Sequence, residues 1–173
     1  MVADVDLGQH NRFKLLWLIG DLSAGKWTEA WVVDHRERFT SGADLWSAAW
    51  KDTVHLVWSW DDRRSGKVDE GSGVFHVSWT PAGFGRKVRL YKGERDGLDM
   101  AVDPDSGRVL VVFSTEQGDF VASRPAKGRW TRPTRLHADL TKEHHVSVRF
   151  LEKGSFVIRT RHGQTKEWLL KAK

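Results

Sequence analysis

The chain has 173 residues, 39% of them hydrophobic, which excludes a disordered chain and allows one domain with a substantial core. It has no cysteine, which excludes a disulfide framework and thiolate metal sites, and it lacks the run of roughly 18 apolar residues that a membrane-spanning helix needs. The net charge of +5 is unevenly spread: residues 1–120 hold 15 Lys/Arg and 19 Asp/Glu (−4), whereas residues 121–173 hold 13 and 4 (+9). The basic final third is therefore where an anionic partner is expected.

The opening stretch, MVADVDLGQHNRF, carries acids early and has no signal-peptide pattern, so a cytoplasmic setting is the default expectation. Strand signals then recur every 8–12 residues, and no sustained helical stripe intervenes. The predicted strands are 12–19 and 27–33, then 44–50, 53–60, 73–79 and 84–91. They continue as 97–103, 107–114, 118–124 and 129–137, and end with 144–150, 154–160 and 165–171. "TVHLVWSW" at 53–60 alternates and is rich in β-branched and aromatic residues. "DPDSG" and "EKG" supply Asp for side-chain-to-backbone bonds and Gly for positive φ, as tight turns require.

The chain also repeats itself. "VFHVSWTPAGFGRKVRL" (74–90) aligns with "DFVASRPAKGRWTRPTRL" (119–136) when Gly83 is set on Gly128. Phe75 then meets Phe120 and Ser78 meets Ser123; after a one-residue gap, Phe84 meets Trp130 and Arg89-Leu90 meets Arg135-Leu136. "LDMAVDPDSGRVLVVF" (98–113) aligns without gaps on "HVSVRFLEKGSFVIRT" (145–160). "LWSAAWKDTVHLVW" (45–58) is a shorter version of the same half. One supersecondary unit per repeat of this period predicts a repeat architecture, and four antiparallel strands per unit is the phase of a β-propeller blade. The expected fold is all-β: a single domain over residues 1–173 with units near 12–33, 44–91, 97–137 and 144–171. That makes about three blades of four-stranded antiparallel meander, either part of a larger propeller or half of a ring completed by a second copy.

"GKWTEAWVV", "GRWTRPTRL" and "DPDSGRVLVVF" resemble the repeats of sialidase-like β-propellers, the group with BNR or Asp-box motifs. The resemblance covers roughly residues 12–170. It implies a propeller fold and either carbohydrate binding or glycoside hydrolysis. Here "DLSAGKW" and "RPAKGRW" place Gly two residues before Trp rather than three and lack the Asp of the box. A sialidase-type site would need a Tyr nucleophile with a carboxylate partner and three arginines. Tyr91 is the only tyrosine, and it ends an outer strand, so no catalytic residue carries over.

Inner strands of a propeller line its channel, which makes Asp44, Trp46, Asp99, His144 and His145 candidate ligand-binding residues on one rim. Trp79, beside "TPAG", is a further stacking candidate. His144 and His145 lack metal-ligand spacing, and no metal or cofactor is expected. "AVDPDSG" (101–107) begins like a calcium loop at Asp103, but the twelfth position from Asp103 is Ser114 rather than Glu, so it reads as a turn. His55 and His76 alternate with apolar neighbours and read as half-buried structural residues. Arg124, Arg129, Arg132 and Arg135 are candidate anion-binding residues; the competing reading is a strand edge kept soluble by charge.

The expected function is a non-catalytic binding module presenting loops to a carbohydrate or protein partner. Nucleic acid and membrane are not expected partners. A glycosidase or sialidase-like hydrolase, or a fragment of one, is the alternative. It would need paired carboxylates about 5–10 Å apart, for which Asp44 and Asp99 are the only nominees. A scaffold whose repeats serve assembly alone is the third reading.

Overall fold

The computed structural model describes residues 2–6, 13–21, 26–33, 45–60, 72–93, 97–137, 145–152, 154–162 and 164–170, the first three stretches as backbone alone. All regular structure among them is β. In chain order the strands are β1 (Val2–Asp6), β2 (Phe13–Asp21), β3 (Lys26–Val33), β4 (Leu45–Trp50), β5 (Thr53–Trp60), β6 (Gly73–Thr80), β7 (Gly83–Phe84) and β8 (Val88–Lys92). They continue with β9 (Gly97–Val102), β10 (Val109–Thr115), β11 (Gly118–Arg124), β12 (Thr134–His137), β13 (His145–Phe150), β14 (Phe156–His162) and β15 (Gln164–Leu170).

The strands form four antiparallel sheets, each a meander of consecutive strands: β1–β3, β4–β8, β9–β12 and β13–β15. The first sheet has three strands where the sequence predicts two, because Val2–Asp6 pairs with Phe13–Trp17. The four sheets fall on the four stretches read as repeat units, the first and last of which are expected to share one split blade. The expected outer strand 84–91 is split into β7 and β8, both pairing β6, with a register shift between Val74 and Phe75. The expected strand 129–137 shortens to β12, and residues 125–133 leave the ladder as a loop.

Both interruptions obey one rule. Gly85 N–H donates to the Ser78 carbonyl at 2.8 Å, and Thr131 N–H donates to the Ser123 carbonyl at 2.8 Å. Ser78 and Ser123 are the serines that the repeat superimposes, and Gly85 and Thr131 each follow the aligned aromatics Phe84 and Trp130. The two outer halves thus repeat in hydrogen bonding as well as in letters.

Strand alternation sends successive side chains to opposite faces, and the core follows from it. Val57, Val74 and Leu90 of one sheet pack against Leu98, Met100, Val109, Val111 and Phe113 of the next. The other face of that second sheet (Ala101, Leu110, Val112 and Val121) packs against Val148, Phe156 and Ile158 of the β13–β15 sheet. The sheet β9–β12 is therefore covered on both sides, which is why all seven residues of β10 are buried and why "VLVVFST" reads as a nearly continuous apolar run. Leu56, Trp58 and Val77 form a third cluster on the far face of β5 and β6. Burying each such side chain is worth about 1.5–3 kcal/mol.

The edge strands β4, β9 and β13 lie beside one another, β9 touching both neighbours. Trp50 of β4 caps the β9–β10 turn, its indole N–H donating to the Pro104 carbonyl at 3.0 Å. That turn is "DPDSG". Asp103 accepts from Asp105 N–H at 2.9 Å and from the Ser106 hydroxyl at 2.6 Å. Burial opposes the charge on Asp103, but these bonds and Arg108 outweigh it and hold the carboxyl below its ordinary range.

Candidate anion-binding site

Between the outer parts of the two central sheets lies a cleft of about 830 Å³. One wall is Gly85, Arg86, Lys87, Val88 and Arg89, the stretch where the outer strand leaves the ladder between β7 and β8, with Ser78 beside it. The other is Arg124, at the end of β11, with Gly128, Arg129 and Trp130 of the following loop. Five cationic side chains thus border one space, and among the described residues no carboxylate does.

The loop wall is built tightly. The Arg124 Nε–H donates to the Gly128 carbonyl at 3.1 Å, which fixes the guanidinium plane. A Cβ on Gly128 would stand 2.6 Å from Pro125 Cγ, so the loop closes this way only with glycine there. The Ser123 N–H donates to Thr131 Oγ1 at 3.0 Å, completing the link back to β11. On the facing wall, Lys87 places its ammonium 5.5 Å over the Phe75 ring, so the charge nearest the cleft is chiefly arginine.

Beneath the cleft runs a chain of ring nitrogens. The Trp130 Nε1–H donates to His76 Nδ1 at 3.3 Å, and His76 Nε2 lies 3.1 Å from His55 Nδ1. Indole is a donor only, so His76 Nδ1 accepts and its proton sits on Nε2. That N–H donates to His55 Nδ1, and His55 in turn carries its proton on Nε2. Both histidines are neutral. Burial pushes His55 down to about 4, with Arg124 adding repulsion. Burial, then His55, then Arg124 push His76 down to about 3. Expected as half-buried, the two rings are buried outright, at 3% and 1% exposure. For His76 the reason is that Trp130, from the next sheet, closes over it edge to face, while His55 stacks on His76.

Two of the four anion-binding candidates, Arg124 and Arg129, come together here. Arg132 and Arg135 are exposed but do not line the cleft. Sequence reasoning missed Arg86, Lys87 and Arg89 because it divided charge at residue 120 and found that part net acidic. A finer signal was present: residues 71–93 and 120–138 contain no Asp or Glu and carry four and five Lys/Arg, respectively. These are the two repeated outer segments, and packing sets one against the other.

Of the rim candidates, Trp46, Asp99 and the His145 backbone belong to the adjacent edge strands β4, β9 and β13. Trp46 is 45% exposed on β4. Trp79 is half-buried and packs on the Leu56, Trp58 and Val77 cluster, on the face of its sheet away from the cleft. Asp99 is half-buried on β9, and its two oxygens accept from the backbone N–H groups of Met100 and Val148, both at 2.7 Å. Burial pushes its carboxyl up against the opposing effect of those two bonds. The His145 backbone opens β13; Asp44 and His144 lie outside the described residues. Tyr91 sits on the outer strand β8, as expected, and packs against Phe113 and Phe120. Among the described residues no group of three or more His, Asp or Glu could hold a metal ion, and no helix is long and apolar enough to cross a membrane.

No protein-family model and no curated protein matches this chain.

Proposed function

We propose that the protein is a non-catalytic binding module of β-propeller type, whose outer cleft receives an anionic carbohydrate. The observation that carries this reading is the cleft itself: Arg86, Lys87, Arg89, Arg124 and Arg129 converge on one space with no described carboxylate among them. Like charges gathered at one surface create a potential that attracts an anion. Guanidinium groups also present forked donors suited to carboxylate, sulfate or phosphate oxygens. Among the described residues, nothing at the cleft is placed for acid–base chemistry. The histidines beneath it are neutral, buried and already bonded, and Asp99 spends its oxygens on backbone N–H groups.

The propeller reading is supported by the consecutive meanders, the face-to-face packing of three of them, and the adjacency of the edge strands β4, β9 and β13. Four sheets reach the lower end of the blade counts that propellers use. The resemblance to sialidase-like repeats belongs to the same proposal. On the β13–β15 sheet, the face turned from the core exposes Arg149, Arg159 and Leu169, and a second copy covering it would complete a larger ring. Light scattering distinguishes the two arrangements: a dimer supports the shared ring, and a monomer refutes it.

The binding reading is tested on a glycan array with the folded chain. Retention on acidic glycans and none on neutral ones is the expected result. No retention on any acidic glycan, with the fold verified by circular dichroism, would refute it.

A further inference from the structure

Resting on the reading of the cleft as an anion site, we infer that its ligand is a segment of sulfated polysaccharide, held by several sulfate esters at once. The first argument is charge. Four arginines and a lysine border the space, three from one wall and two from the other. A sugar with one carboxylate would reach one wall, whereas a chain threaded between the walls with sulfates on both sides reaches the cations of both walls at once.

The second argument is what the lining lacks. Sugars recognised through their hydroxyl groups need acceptors, chiefly carboxylates and amide oxygens. The described lining offers the Ser78 hydroxyl, backbone and arginines, so the ligand is read by its anions. Single-stranded nucleic acid is ordinarily held by a cationic track plus successive aromatic platforms. Among the described residues the cleft is lined by one aromatic, Trp130, whose N–H is committed to His76. The third argument is the choice of cation. The guanidinium is weakly hydrated compared with an ammonium and pairs best with an equally weakly hydrated anion. Sulfate esters fit that description better than carboxylates do.

The test is calorimetric titration of the full chain with dextran sulfate, with polygalacturonate of matched charge per sugar, with unsulfated dextran and with single-stranded DNA. Dextran sulfate should bind at least tenfold more tightly than polygalacturonate, and dextran should not bind. Affinity should fall with added salt at a log–log slope of about three or more, as several released counterions require. R86A/R129A, two exposed positions whose loss leaves the core intact, should weaken binding at least tenfold and lower that slope. R149A, on β13 away from the cleft, should change nothing, which separates the cleft from the general attraction of a basic protein. Equal or tighter binding of polygalacturonate or DNA that still depends on Arg86 and Arg129 would overturn the sulfate inference and leave the cleft an anion site. Binding indifferent to R86A/R129A, or absent for every polyanion, would overturn the reading of the cleft itself.

Discussion

The indole N–H of Trp130 crosses from one sheet to the next to donate to His76 Nδ1 at 3.3 Å, joining residues 54 apart in the chain. This contact sets the protonation of two buried rings and forms the floor of the cleft. It also explains why the second repeat ends in Trp where the first has Phe84: only the indole supplies a donor to the neighbouring sheet.

Both histidines are expected as neutral Nε2–H tautomers at pH 7. Long-range proton–nitrogen spectra of the imidazoles should show a protonated Nε2 and a bare Nδ1 for each ring. W130F keeps most of the ring but leaves His76 Nδ1 without its donor. It should destabilise the fold by about 1–2 kcal/mol in urea unfolding. An unchanged midpoint would mean that the bond contributes nothing.

The same two rings make stability depend on pH. Their folded values, about 4 and about 3, lie below the unfolded value near 6.5. The unfolded chain therefore binds more protons in the interval between. Stability is complete above about pH 6.5 and falls as pH drops through that interval, at roughly 1.4 kcal/mol per pH unit for each ring. Asp99, pushed upward, works in the opposite sense and only near the carboxylate range. Unfolding free energies at pH 7 and pH 5.5 should differ by on the order of 2 kcal/mol, pH 7 being the more stable. The His55 and His76 resonances of the folded protein should show no titration between those two values.

Much of this architecture was legible in the sequence, because strands, turns and repeats are local signals. "TVHLVWSW", "DPDSG" and the Ser78/Ser123 alignment each point to features the structure has. The first strand escaped because "VADVD" is short and half acidic, and its pairing with 13–17 depends on tertiary partners. The cleft escaped for a related reason. Arg86 and Arg129 become neighbours only when two sheets pack, and no count of charge along the chain registers that. Burial of His76 likewise depends on Trp130, which lies in another repeat.

Gly107 is the glycine of the "DPDSG" turn, with φ of 69°. A Cβ there would lie 2.5 Å from the Trp50 ring, the side chain that ties β4 to this turn. G107A therefore meets backbone strain and a clash with a large ring, and should cost on the order of 3 kcal/mol. W50F removes the N–H bonded to Pro104 together with part of the ring that packs on the turn, and should cost about 1–3 kcal/mol. If the turn and the tryptophan act as one unit, the double variant will cost less than the sum of the two, as measured by a double-mutant cycle in urea.

Asp99 separates a structural role from a chemical one. Its Oδ2 accepts the Val148 N–H of β13 at 2.7 Å, and its Oδ1 accepts the Met100 N–H at 2.7 Å. The carboxylate thus staples the edge strand of one sheet to that of the next, satisfying a donor that the β13 edge would otherwise leave unpaired. D99A removes both acceptors and should destabilise the fold by about 2–4 kcal/mol. D99N retains one carbonyl oxygen and should cost less than D99A, but still cost stability, because its amide nitrogen meets the other N–H with a donor. A general acid or nucleophile behaves otherwise: D99N would leave stability intact and abolish glycoside hydrolysis. Unfolding midpoints of the two variants, read beside an assay on a chromogenic glycoside, decide between the roles. The hydrogen bonds predict graded losses of stability, with no hydrolysis in the parent protein to lose.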